Sequence, residues 1–387
     1  MTGPLADVLV VDLSRALAGP HAAMMLGDLG ARVIKVESPA SGDDTRSWGP
    51  PFMPGSDGQR YSTYFLSCNR NKESIALDLK SDDGRDTLTA LVARADVLVE
   101  NFRPGVLDRL GFSMERLHEL NPRLVVLSIT GFGHDGPEGT RAGYDQIAQG
   151  EAGLMSLTGP SAAEPTRVGV PIGDLLAGMN GAYGVVAALH ERTRTGRGRV
   201  VRTSLLASLV GVHAFQGTRY TVAGEVPQPT GGHHPSICPY GLFHAADGFV
   251  QIAVGSEGLW RRFAPEFGLD RPEWASNPQR VGDRDAVIAT VDAAFRALPS
   301  AELLVRLDKL GVPAGKVRNL DGVYTWEQTR SQGLLVDVEH AALGTITLPG
   351  PPLRFDDPPG VAVRTTHSAP PTLDQHGADI RAWLGQP

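Results

Sequence analysis

Asp174 follows Gly173 at the entrance of the apolar, glycine-rich segment VGVPIGDLLAGMNGAYGVVAALHER, whose spacing predicts a buried helix. A carboxylate at a helix start is favoured by unpaired N–H groups, so an N-cap is one reading. The small neighbours Gly173, Ala177 and Gly178 also leave room for a bulky electrophile, and helix-end amides suit a developing oxyanion. A nucleophile is therefore the second reading, and the residues alone leave both open.

Other chemistry has less to stand on. The sequence contains no HExxH, GxSxG or P-loop, the usual signatures of zinc hydrolysis, serine hydrolysis and nucleotide-driven work. His233 and His234 are adjacent in a Gly/Pro-rich stretch with no third ligand at fixed spacing, and Cys68 and Cys238 make no metal-ligand spacing. No metal and no disulfide are expected. The basic run ERTRTGRGRVVR, ending at Arg202, reads as a helix end followed by a solvated glycine turn.

The elements that must position Asp174 alternate. DVLVVDL, ARVIKVE, SIALDLK, DVLVEN and RLVVLSITGF are β-rich runs, and HAAMMLGDLGA and GRDTLTALVARA are helical in spacing. This pattern predicts an α/β fold, a parallel sheet covered by helices, with ligands at the carboxyl ends of the strands: the loops after Leu13, Glu37, Glu100 and Thr130. Glu37 mimics the ribose-binding acid of a dinucleotide fold. The first loop, however, reads SRALAGP with Gly19 alone where GxGxxG is needed, so a nicotinamide or flavin site is not expected.

The texture changes at VPQPTGGHHPSICPYG, a linker placed at 221–240. Beyond it come a hairpin around Asp247 and Gly248 and helices at Glu257 to Phe267 and Asp285 to Leu298. From about 330 the chain returns to LVDVEH and GTITLPGPPLRF, a Pro-rich crossing and a last helix in DQHGADIRAWLG. The expected division is a large Rossmann-like domain over 1–220, completed by 330–387, and a small α/β domain over 241–329. At 387 residues, two domains suit the length. Against 43 acidic side chains stand 36 basic ones, a net charge of −7 that disfavours nucleic acid and anionic membranes. The acidic start, MTGPLADVLVVDLSR, and the lack of an apolar run near the ~18 residues of a span favour a cytoplasmic protein.

The succession AGPHAAMMLGDLGARVIKVESPASGDDTR, NRNKESIALDLKSDDGR, ADVLVENFRPGVLDRLGF, LSITGFGHDGP, GYDQIAQ, the Asp174 segment, TGRGRVVRTSLLAS, PAGKVRNL, LVDVEHAALG and LPGPPLRF resembles the class III CoA-transferases nearly end to end. That family includes formyl-CoA and carnitine CoA-transferases and the related α-methylacyl-CoA racemases. The resemblance implies transfer of CoA from an acyl-CoA donor to a carboxylic acid acceptor, with Asp174 as nucleophile. The carboxylate attacks the thioester to give an acyl-aspartyl anhydride and CoA thiolate. Thiolate return then makes an aspartyl-CoA thioester, and a second anhydride delivers CoA to the acceptor.

The resemblance further implies that CoA, a substrate rather than a tightly bound cofactor, contacts Leu17, Ala18, Asn71, Lys72, Asn101, Phe102 and Arg109. Lys72 and Arg109 would meet phosphate and Phe102 the adenine. Trp48 stands where the family often carries an aromatic near the acyl pocket, and Gly231 and Gly232 in TGGHHP are what remains of a glycine loop over the nucleophile. Leu17 replaces a glutamine of formyl-CoA transferase, which favours an acyl group less polar than oxalate. Tyr144 occupies the place of the racemases' acid–base histidine, and a phenol of pKa about 10 is a poor base at neutral pH. Racemisation with His134 substituting, or CoA binding without catalysis, is the alternative. The family also implies an interlocked homodimer.

Overall fold

The computed structural model describes residues 2–355 and 366–386. The chain divides into two compact units, Met1–Leu154 with Val168–Ala223 and Gln328–Pro387, and Met155–Arg167 with Gly224–Glu327. Residues 155–167, placed in the large domain on sequence, thus group with the smaller unit. There the Thr166 amide donates to Thr158 O at 3.1 Å and the Gly231 amide to Gly159 O at 3.1 Å.

In chain order the larger unit begins β1 (Leu9–Asp12), α1 (Ala18–Asp28), β2 (Arg32–Glu37), β3 (Phe52–Pro54), β4 (Arg60–Ser62), α2 (Thr63–Ser67), β5 (Lys72–Ala76), α3 (Asp82–Arg94) and β6 (Val97–Glu100). It continues α4 (Val106–Arg109), α5 (Met114–Leu120), β7 (Val125–Thr130), α6 (Asp145–Glu151), α7 (Ile172–Thr195), β8 (Val200–Ser204), α8 (Leu205–Gly211) and α9 (Ala214–Ala223). Six strands form one parallel sheet in the order β5-β2-β1-β6-β7-β8. The α/β expectation holds. Because helices cover both faces, β1, β6 and β7 are buried along their whole length, and this is why they read as unbroken apolar runs.

The sixth strand is a correction. The Arg192–Arg202 run is not a solvated loop: α7 continues to Thr195, Gly196 caps it, and β8 starts at Val200. Arg192 is buried and pairs with Asp96 at 2.8 Å. Gly198 is dictated by close approach, since a Cβ there would lie 1.9 Å from Leu124 O.

One face of the sheet is covered by α1 and α7, with Ala22, Leu26, Val99, Leu127, Ala177 and Val185 in its core; the other packs against α3 and α5 through Ile34, Leu88, Leu91 and Leu98. With 24 residues, α7 is long and apolar enough by composition to cross a membrane. It is instead the core helix of this face, and its glycines permit the fit: a Cβ on Gly178 would stand 2.7 Å from Ala18 O at the first turn of α1. A hairpin of β12 (Leu335–His340) and β13 (Gly344–Pro349) and a last helix at Gly377–Leu384 complete the unit. Trp383 on that helix lies between the guanidinium groups of Arg32 and Arg94, at 4.4 and 5.0 Å. Part of the expected Pro-rich crossing lies outside the described residues.

In the smaller unit, β9 (Tyr240–Ala245), β10 (Gly248–Ala253) and β11 (Ala314–Lys316) form an antiparallel sheet, β9 and β10 being the hairpin expected around Asp247 and Gly248. Helices including Glu257–Glu266 and Arg284–Arg296 enclose Phe243, Trp260, Phe263, Trp274 and Phe295 against it. Both cysteines are buried free thiols.

The α1–α7 contact gives a test. Gly178→Val should lower the unfolding free energy by about 2 kcal/mol in urea titrations, because a branched side chain must push α1 off α7.

Candidate active site

Strand order reverses between β1 and β6: from β1 the chain builds outward through β2 and β5, then returns to the other side for β6, β7 and β8. Loops leaving β1 and β6 therefore diverge, and an open crevice forms at their carboxyl ends. A cavity of about 450 Å³ opens there, lined wholly by the larger unit. Its walls include Arg15, Ala16 and Ala18 after β1, Asn101 to Pro104 after β6, Thr130 and Gly131 after β7, and Asp174 at the start of α7.

Asp174 is not the cap of its helix. It is the third residue of α7, and the Gly173 and Asp174 amides donate instead to Asp145 Oδ1 at 2.7 and 3.3 Å. The Ile172 and Leu175 amides are taken by Val170 O and Pro171 O. Asp145 is itself held by Gln149, whose Nε2 donates to Asp145 Oδ2 at 2.6 Å while its Oε1 accepts the Val168 amide. The half-buried Asp174 carboxylate is thereby left without a capping bond, and its pKa is pushed up to about 7, first by burial and then by the charge of Asp145. With all four first amides of α7 occupied, the oxyanion donors expected at that helix end are absent. At the start of α1, by contrast, the Ala18 and Gly19 amides meet no acceptor among the described residues.

The residues expected to contact CoA separate into two groups. Ala18, Asn101 and Phe102 line the cavity. Asn101 spends its amide on protein, accepting from the Arg15 amide at 2.8 Å and donating to Arg15 O at 2.7 Å, which zips the two rim loops together. Arg15 lies over the Phe102 ring, 5.7 Å from its centroid, and 3.7 Å from Asp44. Leu17 is buried behind the wall with Met24 and Cys68. Arg109 is exposed at the end of α4 and does not line the cavity.

Lys72 and Asn71 correct the sequence reading. Lys72 is fully buried, and its ammonium donates to Asp12 Oδ2, Pro20 O and Asn69 Oδ1 at 2.8 to 2.9 Å, leaving nothing for a phosphate. Asn71 ties Asp28 to His367 and Ser368. Both border a separate cavity of about 360 Å³ with Arg32, Glu73 and His376. Glu37 is no ribose ligand either: it is buried against Arg46, Ser74 and the Asp43 amide.

Trp48 and Tyr144 line the Asp174 cavity, Tyr144 with 69 % of its surface exposed. Gly231 and Gly232 belong to the smaller unit, as do His233 and His234. His134 Nε2 lies 2.8 Å from Ser128 Oγ, which also hydrogen-bonds Glu100, and His134 does not line the cavity. Sequence reasoning assigned no role to Asp145, Tyr64, Arg15, Arg103 or Arg141, all of which line it. Asp145 lies inside the quoted GYDQIAQ motif, but nothing in one dimension links it to amides 28 residues onward.

A carboxylate of raised pKa at the inner end and a rim carrying Arg15, Arg103 and Arg141 define an α/β enzyme shaped for an anionic substrate with an electrophilic end. The chain belongs to CoA-transferase family III, whose model matches residues 5–377, and it is a CoA-transferase. It is 38 % identical to the succinate–glutarate CoA-transferase of Agrobacterium fabrum over 98 % of this chain and 96 % of that one. Against the succinyl-CoA:glutarate CoA-transferase of Homo sapiens identity is 38 % over 94 % of this chain and 85 % of the relative. A crystal structure of a CaiB/BaiF family protein from Brucella suis superposes with a TM-score of 0.88 at 39 % identity, covering 99 % of this chain and 100 % of that one.

The raised pKa has a measurable cost. Below pH about 4 Asp174 is protonated in both folded and unfolded chains; as pH rises towards 7 only the unfolded chain gains by ionising, so folding stability falls and then levels off. Asp174→Asn lacks this loss. It should match the parent near pH 4 and exceed it above pH 7, by on the order of 2 kcal/mol, in denaturant titrations across that range.

Proposed function

We propose that the enzyme moves CoA between two carboxylic acids through covalent intermediates on Asp174, and that both acids are small dicarboxylates of the succinate and glutarate type. The observation that carries the first part is the uncapped Asp174 carboxylate at the inner end of the cavity. The names of the relatives support the second. Attack of Asp174 Oδ on the donor thioester carbonyl forms a carbon–oxygen bond, and collapse breaks the carbon–sulfur bond, releasing CoA thiolate and leaving an acyl-aspartyl anhydride. Thiolate then attacks the Asp174 carbonyl, the donor acid leaves, and the acceptor carboxylate takes up the acyl position before receiving CoA. A carboxylate of pKa near 7 is more nucleophilic than an ordinary aspartate and is still about half ionised at pH 7.

The nucleotide end of CoA would lie along the rim, with adenine against Phe102 and phosphates near Arg15 and Arg103. Arg103 takes the place that the sequence reading gave to Lys72, whose charge is consumed inside the protein. Racemisation fits less well, since no histidine lines the cavity among the described residues and His134 is committed to Ser128.

Trapping tests this. Incubation of the parent with succinyl-CoA and hydroxylamine should convert Asp174, located by peptide mass spectrometry, to its hydroxamate; Asp174→Ala should show neither the modification nor exchange while still binding CoA. Unmodified Asp174 together with exchange by the variant would sink the proposal.

The same reading includes an interlocked homodimer. Support comes from α7, α8 and α9, which leave Met179, Tyr183, Val210, Phe215 and Tyr220 exposed, more apolar surface than scattered single residues account for. Sedimentation velocity at micromolar concentration should give a dimer, and a monomer would remove it.

A further inference from the structure

Tyr64 lines the same cavity as Asp174 and brings a hydroxyl donor to it. It is the second residue of α2, and Ser62 fixes it from the backbone: Ser62 Oγ accepts the Tyr64 amide at 3.1 Å while its hydroxyl donates to Trp48 O at 2.5 Å. One hydroxyl thus sets two aromatic walls. The Trp48 and Tyr64 rings meet edge to face, centroids 5.1 Å apart at 80°. Behind Tyr64 lies the cluster of Leu17, Met24 and Cys68, against which Leu175, the residue after Asp174, also packs.

The phenol hydroxyl has no partner among the described residues. Burial, and after it the charge of Asp174, holds it well above the usual tyrosine range, so it remains a donor at every working pH. Among the other cavity side chains, Asn101 is engaged with Arg15, Arg141 with Glu138 and Glu151, and Arg15 with Asp44. The amides of α7 are spent on Asp145, Val170 and Pro171.

We infer that Tyr64 is a catalytic residue, the side-chain hydrogen-bond donor to the oxyanion formed when Asp174 attacks the thioester. This rests on Asp174 being the nucleophile. As the Asp174 oxygen bonds to the carbonyl carbon, the carbonyl π pair moves to oxygen and accepts the Tyr64 O–H without proton transfer. When the pair returns, the carbon–sulfur bond breaks and its electrons leave on the thiolate. The Ala18 amide, likewise unpartnered, lines the same cavity as a backbone donor. Such a bond strengthens as charge develops, so it acts on kcat and not on ground-state binding.

Tyr64→Phe in the full-length enzyme keeps the ring against Trp48 and removes only the hydroxyl. With succinyl-CoA and glutarate, kcat should fall about 10²-fold and the single-turnover rate of Asp174 trapping by the same factor. The KM for succinyl-CoA should change by less than about threefold, and the melting temperature should be that of the parent. A variant that labels Asp174 and exchanges CoA at the parental rate would overturn the role of Tyr64 while leaving the nucleophile intact. Loss of rate matched by a lowered melting temperature and weaker CoA binding would likewise return Tyr64 to a packing role. A parent enzyme that exchanges CoA without labelling at Asp174 would instead remove the reading on which Tyr64 depends.

Discussion

Asp145 does the capping that Asp174 would otherwise do, and the chemistry of the site depends on that division of labour. A carboxylate that accepts helix-end amides is stabilised as an anion and becomes a weak base and a weak nucleophile. By taking the Gly173 and Asp174 amides, Asp145 satisfies the start of α7 and leaves Asp174 with the opposite environment: burial, a like charge beside it and no compensating donor. Gln149 extends the constraint, since it braces Asp145 and holds the Val168 amide on the approach to α7. The Asp174 carboxylate is therefore aimed by backbone and second-rank hydrogen bonds, while its own oxygens stay available.

Under the opposite wall runs a cluster of buried charges. Asp12, Lys35 and Lys72 are wholly buried, with Asp43 beside them. Burial opposes the charge on Lys35, yet Asp43 and Asp12 outweigh it and raise its pKa; Asp12 is lowered in turn, against its own burial, by Lys72 and Lys35. Replacing such a group by apolar residues often costs a fold little, so its use here is better sought in geometry than in stability. Lys35 donates to Ser14 O, and Asp43 accepts the Ala16 amide and caps the turn that leads to Trp48. Charge pairing thus ties the loop after β1 and the segment carrying Trp48 to the sheet, and both contribute to the cavity wall.

β1, β6 and β7 were legible because a parallel sheet buried on both faces writes continuous apolar runs into the sequence, and β2 and β5 because shorter β-rich runs alternate with helical spacing. β8 was not, since VVRTS is an edge strand carrying an arginine and follows a run of charge that suits a surface turn. Asp174 was singled out from its small neighbours and helix entrance, although its side chain proved not to be a cap. Lys72 shows the limit of reading charge from composition: a lysine in an NRNK segment looks available until Asp12, sixty residues earlier, is found against it. Asn101 has a related history, since its side chain pairs with a backbone segment 86 residues away. Asp145 and Tyr64 gave no signal because their importance lies in what surrounds them and not in their spacing.

The sign of the charge along the cavity also bears on the order of events. Its rim carries Arg15 and Arg141, each paired with carboxylates, and Arg103, a local cationic stretch in a protein whose net charge is −7. Its inner end carries Asp145 and Asp174, which repel a free carboxylate. With Asp174 as nucleophile, that repulsion is removed by the first half-reaction, because acylation converts an anion into a neutral anhydride or thioester. On that mechanism the acceptor acid would be admitted beside a residue that no longer carries charge, having been held away from the resting enzyme by one that does. On the proposed covalent mechanism the like-charge pair that raises the pKa of Asp174 would therefore have a second consequence, favouring entry of the thioester before the free acid.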